Sequence, residues 1–398
     1  MTTTAITGQE IFSYDTDLHA VYRTLRREGP VRPVELPTGK TGWLVTRYAD
    51  VKQALAETQL SKGGMISPVG FAEISGAARA NLTRHMLTVD PPDHTRLRRL
   101  ISSAFTTGRV DKLRPRIERI ADELLDNLTG REEIDVVNEF AFSLALTVIC
   151  ELIGVPIADR EKFRTWSNTI VAGIGARDQL ADAMTSMLGY LQDLIEQKRR
   201  EPADDLVSAL IKAGEEGDKL TPEEVSSTIF LLLIAGHETT VNLIGNGVLL
   251  LLSEPAVWAT LRAEPDHLPA AIEEILRFET PVHLASYRVA KEEVEIGGQT
   301  IPAGAPVLVS VLSANRDEAT FPGADRFDIH RTSNPHVAFG YGIHYCLGAP
   351  LARLEGEVAL GRLMSRYPHM SLAQSSETVG WRPSPLIHGL KSLRVNLT

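Results

Sequence analysis

The stretch FGYGIHYCLG, from Phe339 to Gly348, places one cysteine, Cys346, in a glycine-rich loop that opens onto a helical pattern from Ala349 to Met364. Cys346 would therefore lie near a helix N-terminus, where backbone amides and the helix dipole lower the pKa of a thiol. The thiolate is the form that binds metal ions, so Cys346 is the candidate metal ligand. Because glycine has no Cβ, Gly340, Gly342 and Gly348 would let the loop backbone approach a flat cofactor.

The clearest helix signal begins at Thr221. Pro222 occupies the first helical position and Glu224 lies three residues after the cap, which together predict a capping box. The helical pattern continues to about Ser253. At about 1.5 Å per residue such a helix spans roughly 50 Å, so we expect it to cross the protein and to be buried along much of its length.

The segment AGHETT, from Ala235 to Thr240, interrupts the apolar run of this helix with polar residues. Buried carboxylate and hydroxyl groups cost free energy unless they are paired or used, so the segment predicts a functional site. Gly236 would allow the helix to approach a planar ligand, and a threonine hydroxyl bonded to a carbonyl one turn back would open a local bulge. Taken alone, the segment is also compatible with a kinked core helix.

The segment PAAIEEILRFETPV places Glu274 and Arg277 three residues apart, on a helix that Pro281 must end. The two side chains therefore share one helix face. Pairs of this kind are common on surface helices, where they contribute little, so the pair is informative only together with its neighbours in the sequence.

Composition limits the class of protein. The 398 residues carry a net charge of −10, which disfavours nucleic acid as a partner. Two cysteines argue against a disulfide framework and favour a cytoplasmic location, with Cys150 as a small core residue. The N-terminus lacks a signal-peptide pattern and the longest apolar run, Ile229–Ala235, is too short to span a bilayer, so we expect no membrane anchor.

Positive charge is concentrated in one region of this acidic chain. The region would be either a solvated helix face or a docking surface for an acidic electron-transfer protein. Its residues are Arg96, Arg98, Arg99, Arg109, Lys112, Arg114, Arg116 and Arg119.

Helical patterns dominate the chain, and strand patterns are few and short. Strands are predicted at Gly42–Tyr48, Val294–Ile301 and Val307–Leu312, with a hairpin turn at Gly297-Gly298 inside the second. No repeat or long linker interrupts the sequence. We therefore expect one domain over residues 1–398, mainly α with small β-sheets (α+β).

Phe339, Gly342, Cys346 and Gly348 match the haem-binding signature of the cytochrome P-450 family, the haem-thiolate monooxygenases, which this chain resembles over nearly its whole length. The segments DPPDH, AGHETT, EILR, NRDEATFPGADRFDIHR and the cysteine loop follow one another as they do in that family. The resemblance implies the cytochrome P-450 fold, with a long central helix over the haem. It is strongest to the soluble bacterial class.

The resemblance also implies a role for each candidate residue. Cys346 would bind the iron of haem b, while Glu238 and Thr239 would be the acid and the alcohol that deliver protons to bound dioxygen. Glu274, Arg277 and Arg331 would form a buried network that holds the cysteine loop in place. The other cofactor-binding positions would be His94, Arg98, Arg288 and His344, which contact the haem propionates, and Ala235, Gly236, Phe339, Gly340 and Gly348.

The expected reaction is insertion of one oxygen atom of O2 into a C–H bond of a hydrophobic small molecule. The chain contains no cysteine cluster for an iron–sulfur centre and no reductase-sized extension. Electrons from NAD(P)H would therefore arrive through a separate ferredoxin reductase and ferredoxin. A peroxygenase that uses hydrogen peroxide is disfavoured by the acid–alcohol pair, and a haem-binding sensor or carrier would have no use for that pair.

The resemblance to antibiotic-pathway members favours a macrolide or related polyketide as substrate; a steroid, terpene or fatty-acid hydroxylase would have the same machinery. The stretch from Gly63 to Ala80 would be a mobile lid or a loose surface loop, and segments 63–87 and 170–174 would face the substrate. His237 would contact substrate or fill space. The individual substrate contacts implied are Leu233, His237, Val282, Leu284, Leu386 and Ile387.

Overall fold

The computed structural model describes residues 8–12, 17–63, 81–102, 105–172, 177–215 and 220–397. Most of the predicted lid, and part of the predicted substrate segment at 170–174, lie outside these residues. The helices are α1 (Leu18–Glu28), α2 (Tyr48–Ala56), α3 (Asp93–Ser102), α4 (Thr107–Asp111), α5 (Arg114–Asp126), α6 (Phe142–Ile153), α7 (Arg160–Ala172), α8 (Arg177–Arg200), α9 (Leu206–Glu215), α10 (Pro222–Ser253), α11 (Pro255–Ala263), α12 (Leu268–Phe278), α13 (Val311–Ala314) and α14 (Ala349–Arg366).

The strands form three small sheets. Five strands pair in the order β1-β2-β8-β5-β3, with β2 and β8 parallel, and the others form β4-β10-β9 and the hairpin β6-β7. The strands are β1 (Val31–Glu35), β2 (Thr41–Val45), β3 (Leu60–Ser61), β4 (Glu133–Asp135), β5 (Leu284–Ala290), β6 (Val294–Ile296), β7 (Gln299–Ile301), β8 (Pro306–Ser310), β9 (Ser371–Leu372) and β10 (Arg394–Asn396).

The predicted hairpin is confirmed, because Gly297 and Gly298 both adopt positive φ angles (56° and 75°) between β6 and β7. The ends of two other predicted strands are wrong. Tyr48 begins α2 and Val311 begins α13, so both strands stop earlier than their apolar patterns suggested. Continuous apolar residues mark burial in a strand or in a helix, and tertiary packing decides between them.

The central helix α10 has the predicted limits and the predicted capping box at Thr221. It packs against α6 and α14, the helix that follows the cysteine loop. Between its two terminal residues, Ala235 is the only exposed position of α10. A single exposed alanine in the middle of a buried helix marks the surface at which the candidate site lies.

The core consists of one large apolar cluster around α10 and two smaller clusters beside the five-stranded sheet. Cys150 is fully buried in the large cluster, as the sequence predicted. Two segments, 136–153 and 222–253, are long and apolar enough to cross a membrane by composition. Their most apolar windows are 67% and 78% buried inside the protein, which is the behaviour of core helices.

Candidate active site

The cysteine loop is held by its own backbone. The Cys346 amide donates to the Phe339 carbonyl (2.8 Å), and the Gly340 amide donates to the Val337 carbonyl (2.8 Å). Gly340 and Gly342 adopt positive φ angles of 76° and 73°, which side-chain-bearing residues rarely adopt. Both glycines are therefore required by the path of the loop itself.

Gly348 differs from the other two glycines of the loop in its backbone conformation. Its φ of −81° suits any residue, and a Cβ placed there would have the Cys346 sulfur, 3.9 Å away, as its nearest neighbour. The absence of a side chain at this position keeps the space beside the sulfur open. Gly348 also caps α14, so the predicted position of Cys346 near a helix N-terminus is confirmed.

The pKa of the Cys346 thiol differs from the sequence-based expectation. Burial of the sulfur by the surrounding protein raises its pKa, although one side of the residue is exposed. The backbone amides of Gly348 and Ala349 and the charges of Arg98 and Arg353 act in the opposite direction without prevailing. The helix N-terminus favours the thiolate, but desolvation of the sulfur by the polypeptide has the larger effect on the pKa of Cys346.

Four basic side chains meet near the cysteine loop: Lys62, His94, Arg288 and His344. Burial lowers the pKa of each, to about 10 for Arg288 and to about 3 for His344, and mutual repulsion lowers those of Lys62 and His344 further. Within the described residues neither Lys62 nor Arg288 forms an ion pair with a carboxylate. Positive charge gathered in this way, with a single carboxylate (Asp90) acting on it from nearby, indicates a site for an anion.

The two histidines of this group are a second indication of an anion site. The rings of His94 and His344 lie edge to face with centroids 4.5 Å apart. His94 is buried, yet neither ring nitrogen has a hydrogen-bond partner of good geometry in the described part of the chain. Arg98, one turn later, donates instead to the Tyr345 carbonyl (2.7 Å) and so ties α3 to the cysteine loop.

Glu274, Arg277 and Arg331 are brought together, as the resemblance implied. Arg277 donates to both carboxylate oxygens of Glu274 (2.7 and 2.8 Å), and Arg331 Nε lies 3.2 Å from the same carboxylate. The remaining N–H groups of Arg277 donate to the carbonyls of residues 315, 324 and 326. Arg277 and Glu274 are 0% and 1% exposed, so this is a buried and fully bonded network.

This network reaches the cysteine loop through asparagines. Asn334 Nδ2 donates to Glu274 Oε2 (3.1 Å), and Asn315 Oδ1 accepts from the Val337 amide (2.8 Å), which lies just before the loop. The segment that precedes Cys346 is therefore held by the same groups that satisfy Glu274 and Arg277.

A second group of side chains that supports the cysteine loop, which we call the brace, was not predicted from the sequence. Arg353 on α14 makes two hydrogen bonds to Glu273 on α12 (2.6 and 2.8 Å), and His336 Nε2 lies 3.1 Å from the same carboxylate. The Arg353 guanidinium also lies over the Phe339 ring, 4.5 Å from its centroid. Arg353 and Glu273 are 80 residues apart in the sequence, so only the folded chain shows that Arg353 joins the cysteine loop to α12.

On the central helix, Thr239 Oγ1 donates to the Ala235 carbonyl (3.0 Å) and Thr240 Oγ1 to the Gly236 carbonyl (3.4 Å). The predicted bulge is absent, because residues 222–253 remain α-helical throughout. Gly236 has a packing role that the sequence did not reveal. A Cβ there would lie 2.8 Å from Ile149 Cδ1, so this glycine permits close packing of α10 on α6.

Glu238 is buried and points away from solvent. Its Oε1 accepts a hydrogen bond from Arg382 Nη1 (2.6 Å), while Oε2 has no hydrogen-bond partner in the described part of the chain and lies 3.9 Å from His237 Nε2. Arg382 belongs to the C-terminal segment and gave no signal in the sequence. The adjacent His237 is buried too, with Nε2 2.7 Å from Ser167 Oγ and Nδ1 2.6 Å from the Leu233 carbonyl.

The residues implied as substrate contacts separate into two groups. Leu233 and Leu284 are 1% and 0% exposed, and Leu284 packs in the cluster beside the sheet, so burial leaves these two no surface for a ligand. Val282 and Ile387 form a β-bridge, and with Leu386 they are half-buried. His237 belongs with the buried group, since its polar atoms are engaged on the side of α7.

The protein matches the family model described as Cytochrome P450 over residues 7–171 and 174–379. The chain belongs to the cytochrome P450 family. This P450 is 45% identical over 404 residues to a vitamin D(3) 25-hydroxylase of Pseudonocardia autotrophica, covering 100% of this chain and 98% of the relative. It is 42% identical over 403 residues to 6-deoxyerythronolide B hydroxylase of Saccharopolyspora erythraea, covering 99% of each.

The fold agrees with that of solved P450 structures. The tirandamycin C-bound P450 monooxygenase TamI superposes with a TM-score of 0.90 at 45% identity, covering 96% of this chain and 98% of that one. The protein is therefore a haem-iron monooxygenase that uses dioxygen, a redox partner and a hydrophobic substrate.

The residues of this P450 fit a haem. The cluster of Lys62, His94, Arg288 and His344 would neutralise the two propionates, and the N–H of the His94 ring, which has no partner of good geometry in the described part of the chain, is a suitable hydrogen-bond donor for a carboxylate. The exposed thiol of Cys346 can serve as the iron ligand. Two surface depressions of about 400 Å³ each lie elsewhere, along residues 302–306 and 35–39, and contain none of these groups.

The basic region of this P450 is less available than its sequence suggested. Three of its arginines are engaged in ion pairs: Arg96 with the buried Glu224, Arg114 with Glu357 (2.8 Å) and Arg116 with Glu151 (2.6 Å). Arg109, Lys112 and Arg119 are exposed. The exposed apolar side chains of Tyr341, Ile343 and Tyr345 occur on the cysteine loop itself.

Proposed function

We propose that this P450 hydroxylates or epoxidises a bulky polyketide such as a macrolide, as a step of antibiotic or other secondary metabolism. The observation that carries the proposal is the arrangement of Cys346, the basic cluster and the Glu238–Thr239 pair, combined with relatives named for 6-deoxyerythronolide B and tirandamycin C. The half-buried apolar residues Val282, Leu386 and Ile387 would contact the substrate.

The protein would hold haem b through Cys346, with Lys62, His94, Arg98, Arg288 and His344 around the propionates. When bound, the haem supplies the redox chemistry that activates dioxygen for insertion into a C–H bond. The buried Glu274–Arg277–Arg331 network would keep the cysteine loop in position and take no part in proton transfer.

Glu238 and Thr239 would deliver protons to the site where dioxygen binds. Because Thr239 Oγ1 donates its hydrogen to the Ala235 carbonyl, its lone pairs remain available to accept a hydrogen bond. Arg382 holds Oε1 of Glu238, which leaves Oε2 to receive and release a proton. Ala235, the exposed position of α10, leaves the helix surface beside this pair without a bulky side chain.

Electrons would come from NAD(P)H through a ferredoxin reductase and a ferredoxin. The ferredoxin would dock over the cysteine loop, with Tyr341, Ile343 and Tyr345 as the apolar centre and Arg109, Lys112 and Arg119 as positive groups at its border. The chain would act as a single domain in the cytoplasm, without nucleic acid or membrane as a partner.

The first test is a spectral titration of the ferric protein with macrolactones, linear polyketides, vitamin D(3), other steroids, terpenes and fatty acids. A blue shift of the Soret band with macrolactones or linear polyketides, at micromolar concentration, supports the proposal. No shift with either class and a clear shift with another class would refute the substrate while leaving the enzyme class intact.

The second test concerns the metal ligand. Cys346→His should abolish the red-shifted carbon monoxide band of the reduced protein, because the iron would lose its thiolate ligand. Cys150→Ala is the matched control, since the only other cysteine is buried in the core and should leave the band in place. Survival of the band in Cys346→His would contradict the assignment.

A sterol-like substrate is the second candidate. It is favoured by one specific observation, the 45% identity to a vitamin D(3) 25-hydroxylase over the whole chain. The titration above separates the two candidates directly.

A further inference from the structure

A polar seam runs along the central helix. Glu238, Asn242 and Asn246 lie four residues apart, so they occupy one face of α10 on three successive turns. The C-terminal segment 381–389 lies against this face. We call the contact between the three side chains and this segment the seam.

Three contacts define the seam. Arg382 Nη1 donates to Glu238 Oε1 (2.6 Å) at one end, and Asn246 Nδ2 donates to the His388 carbonyl (3.0 Å) at the other. Between them Asn242 lies against Gly389, where a Cβ would be only 1.9 Å from Asn242 Oδ1. The seam is therefore continuous from Glu238 to His388, over about 12 Å of helix at about 1.5 Å per residue.

The seam contains polar atoms that the protein does not satisfy. Glu238 Oε2, Asn242 Oδ1, Asn242 Nδ2 and Asn246 Oδ1 are buried and have no hydrogen-bond partner among the described residues. Each such atom costs about 1–3 kcal/mol when it is left dry. Buried polar atoms without protein partners are commonly satisfied by internal water, which needs two to four polar neighbours.

The far end of the seam reaches the surface through a titratable cluster. His388 Nε2 lies 2.7 Å from Glu279 Oε2, and His19 Nε2 lies 3.0 Å from Glu279 Oε1. The His19 side chain is 19% exposed, whereas those of Glu279 and His388 are 10% and 7% exposed. Asn246 also donates to the Glu279 carbonyl (3.1 Å), so the cluster adjoins the seam.

We propose that the seam is a hydrated proton route that leads from the surface at His19 to Glu238. Asn242 and Asn246 orient the water molecules and carry no proton themselves. For each proton delivered, an O–H bond of the innermost water breaks as an O–H bond forms at Glu238 Oε2. That water regains a proton from the next one outward, so bulk solvent supplies the proton and no electron moves.

The inference deepens the proposed function and rests on it, since Glu238 needs resupply only if it delivers protons during turnover. Buried polar atoms without a hydrogen-bond partner among the described residues also occur outside the seam, for example Thr228 Oγ1 and Asn334 Oδ1. In the seam they recur once per turn, with the predicted proton donor at one end and the half-buried His19 at the other. A purely structural Asn242 would be expected to form a hydrogen bond, and its side chain has no such partner among the described residues.

The test uses the holoenzyme with a surrogate ferredoxin, ferredoxin reductase, NADPH and dioxygen, without organic substrate. Under these conditions O2 + NADPH + H⁺ gives H2O2 + NADP⁺, a reaction that consumes protons at the site. Asn242→Leu removes the water-binding amide at nearly constant volume. It should slow peroxide formation about tenfold or more and increase the ratio of the rates in H2O and D2O.

Thr228→Val is the matched control. Thr228 lies on the same helix and its buried hydroxyl also lacks a partner among the described residues, but it is ten residues before Glu238 and outside the seam. Its rate and isotope ratio should equal those of the wild type. Equal behaviour of Asn242→Leu and Thr228→Val would overturn the proposal.

A high-resolution crystal structure of the wild type gives a second readout, independent of activity and of the stability of any variant. Ordered water bonded to Asn242 and to Glu238 Oε2 supports the route, and a dry seam refutes it. Loss of the carbon monoxide band in the wild type would instead contradict the proposed function. An intact band with an unchanged Asn242→Leu rate would contradict only the route.

Discussion

The two sides of the central site satisfy their polar groups in opposite ways. Beside the cysteine loop, all five N–H groups of Arg277 have acceptors, two of them from Glu274. In the seam, within the part of the chain that the structure describes, the Asn242 side chain has no hydrogen-bond partner and Glu238 uses one of its two carboxylate oxygens. Both regions are buried in the same protein, so burial alone does not explain the difference.

The difference follows from what each region must do. A metal ligand has to stay in one place, and a fully bonded buried network has a single low-energy arrangement. A group that gives up and regains protons needs neighbours that can exchange them, which a closed network does not provide. We infer that the bonded region is a scaffold and that the unsatisfied region is where protons move.

The largest expected effect is on the scaffold. Arg277→Ala would leave the buried Glu274 carboxylate without its main partner and free three carbonyls from their donor. We expect the free energy of unfolding to fall by about 3–5 kcal/mol, with loss of bound haem. Chemical denaturation and the haem content of the purified protein measure this.

Arg199→Ala is the matched control, because Arg199 and Glu196 also form an ion pair at a spacing of three residues, but on the surface. Its cost should stay below about 1 kcal/mol. Similar losses in the two variants would show that the burial of Glu274 and Arg277 does not matter, and the comparison would fail.

An intermediate effect is expected at the seam. Gly389→Ala places a Cβ 1.9 Å from Asn242 Oδ1, and we expect a cost of about 1–3 kcal/mol from overpacking. Thermal unfolding of Gly389→Ala, Asn242→Ala and the double variant forms a cycle. If the clash is with Asn242, the double variant should recover most of the loss.

Gly189→Ala serves as control for the glycine replacement. Nothing lies within 4 Å of a Cβ at this position of α8, so the change should stabilise the helix by about 0.5–1 kcal/mol. A cost at Gly389 that persists without Asn242 would place the crowding elsewhere.

The smallest effect is a dependence on pH. Burial raises the pKa of Glu273, but the hydrogen bonds from Arg353 and His336 prevail and lower it to about 2, from an ordinary value of 4.5. The folded state therefore resists protonation more than the unfolded state. The stabilisation is fully present above pH 4.5 and is lost as the pH falls towards 2.

Glu273→Gln should make the free energy of unfolding less dependent on pH in this window, as measured by denaturation at several pH values. Glu357→Gln is the control, because Glu357 on α14 also pairs with an arginine, Arg114 (2.8 Å), whose side chain is 45% exposed. An equal change of slope in the two variants would show that the brace around Glu273 contributes nothing particular.

Part of the site could be predicted because its signals are local. The glycines around Cys346, the helix that starts at Thr221 and the spacing of Glu274 and Arg277 depend on residues close in sequence. The missed residues, Lys62, Arg353 and Arg382, are ordinary basic residues whose partners lie 80 or more positions away. No local pattern marks them.

The sequence by itself determined the family and the central helix with its cap, and it singled out Cys346 as the candidate metal ligand, because backbone conformation and motif spacing are properties of short segments. Only the tertiary structure decided the protonation tendency and the contacts of the individual site residues. It showed that burial outweighs the helix N-terminus at Cys346, that Gly236 serves packing against Ile149, and that Glu238 is held by Arg382. Desolvation and pairing depend on which distant segments pack together, and that is settled only when the chain has folded.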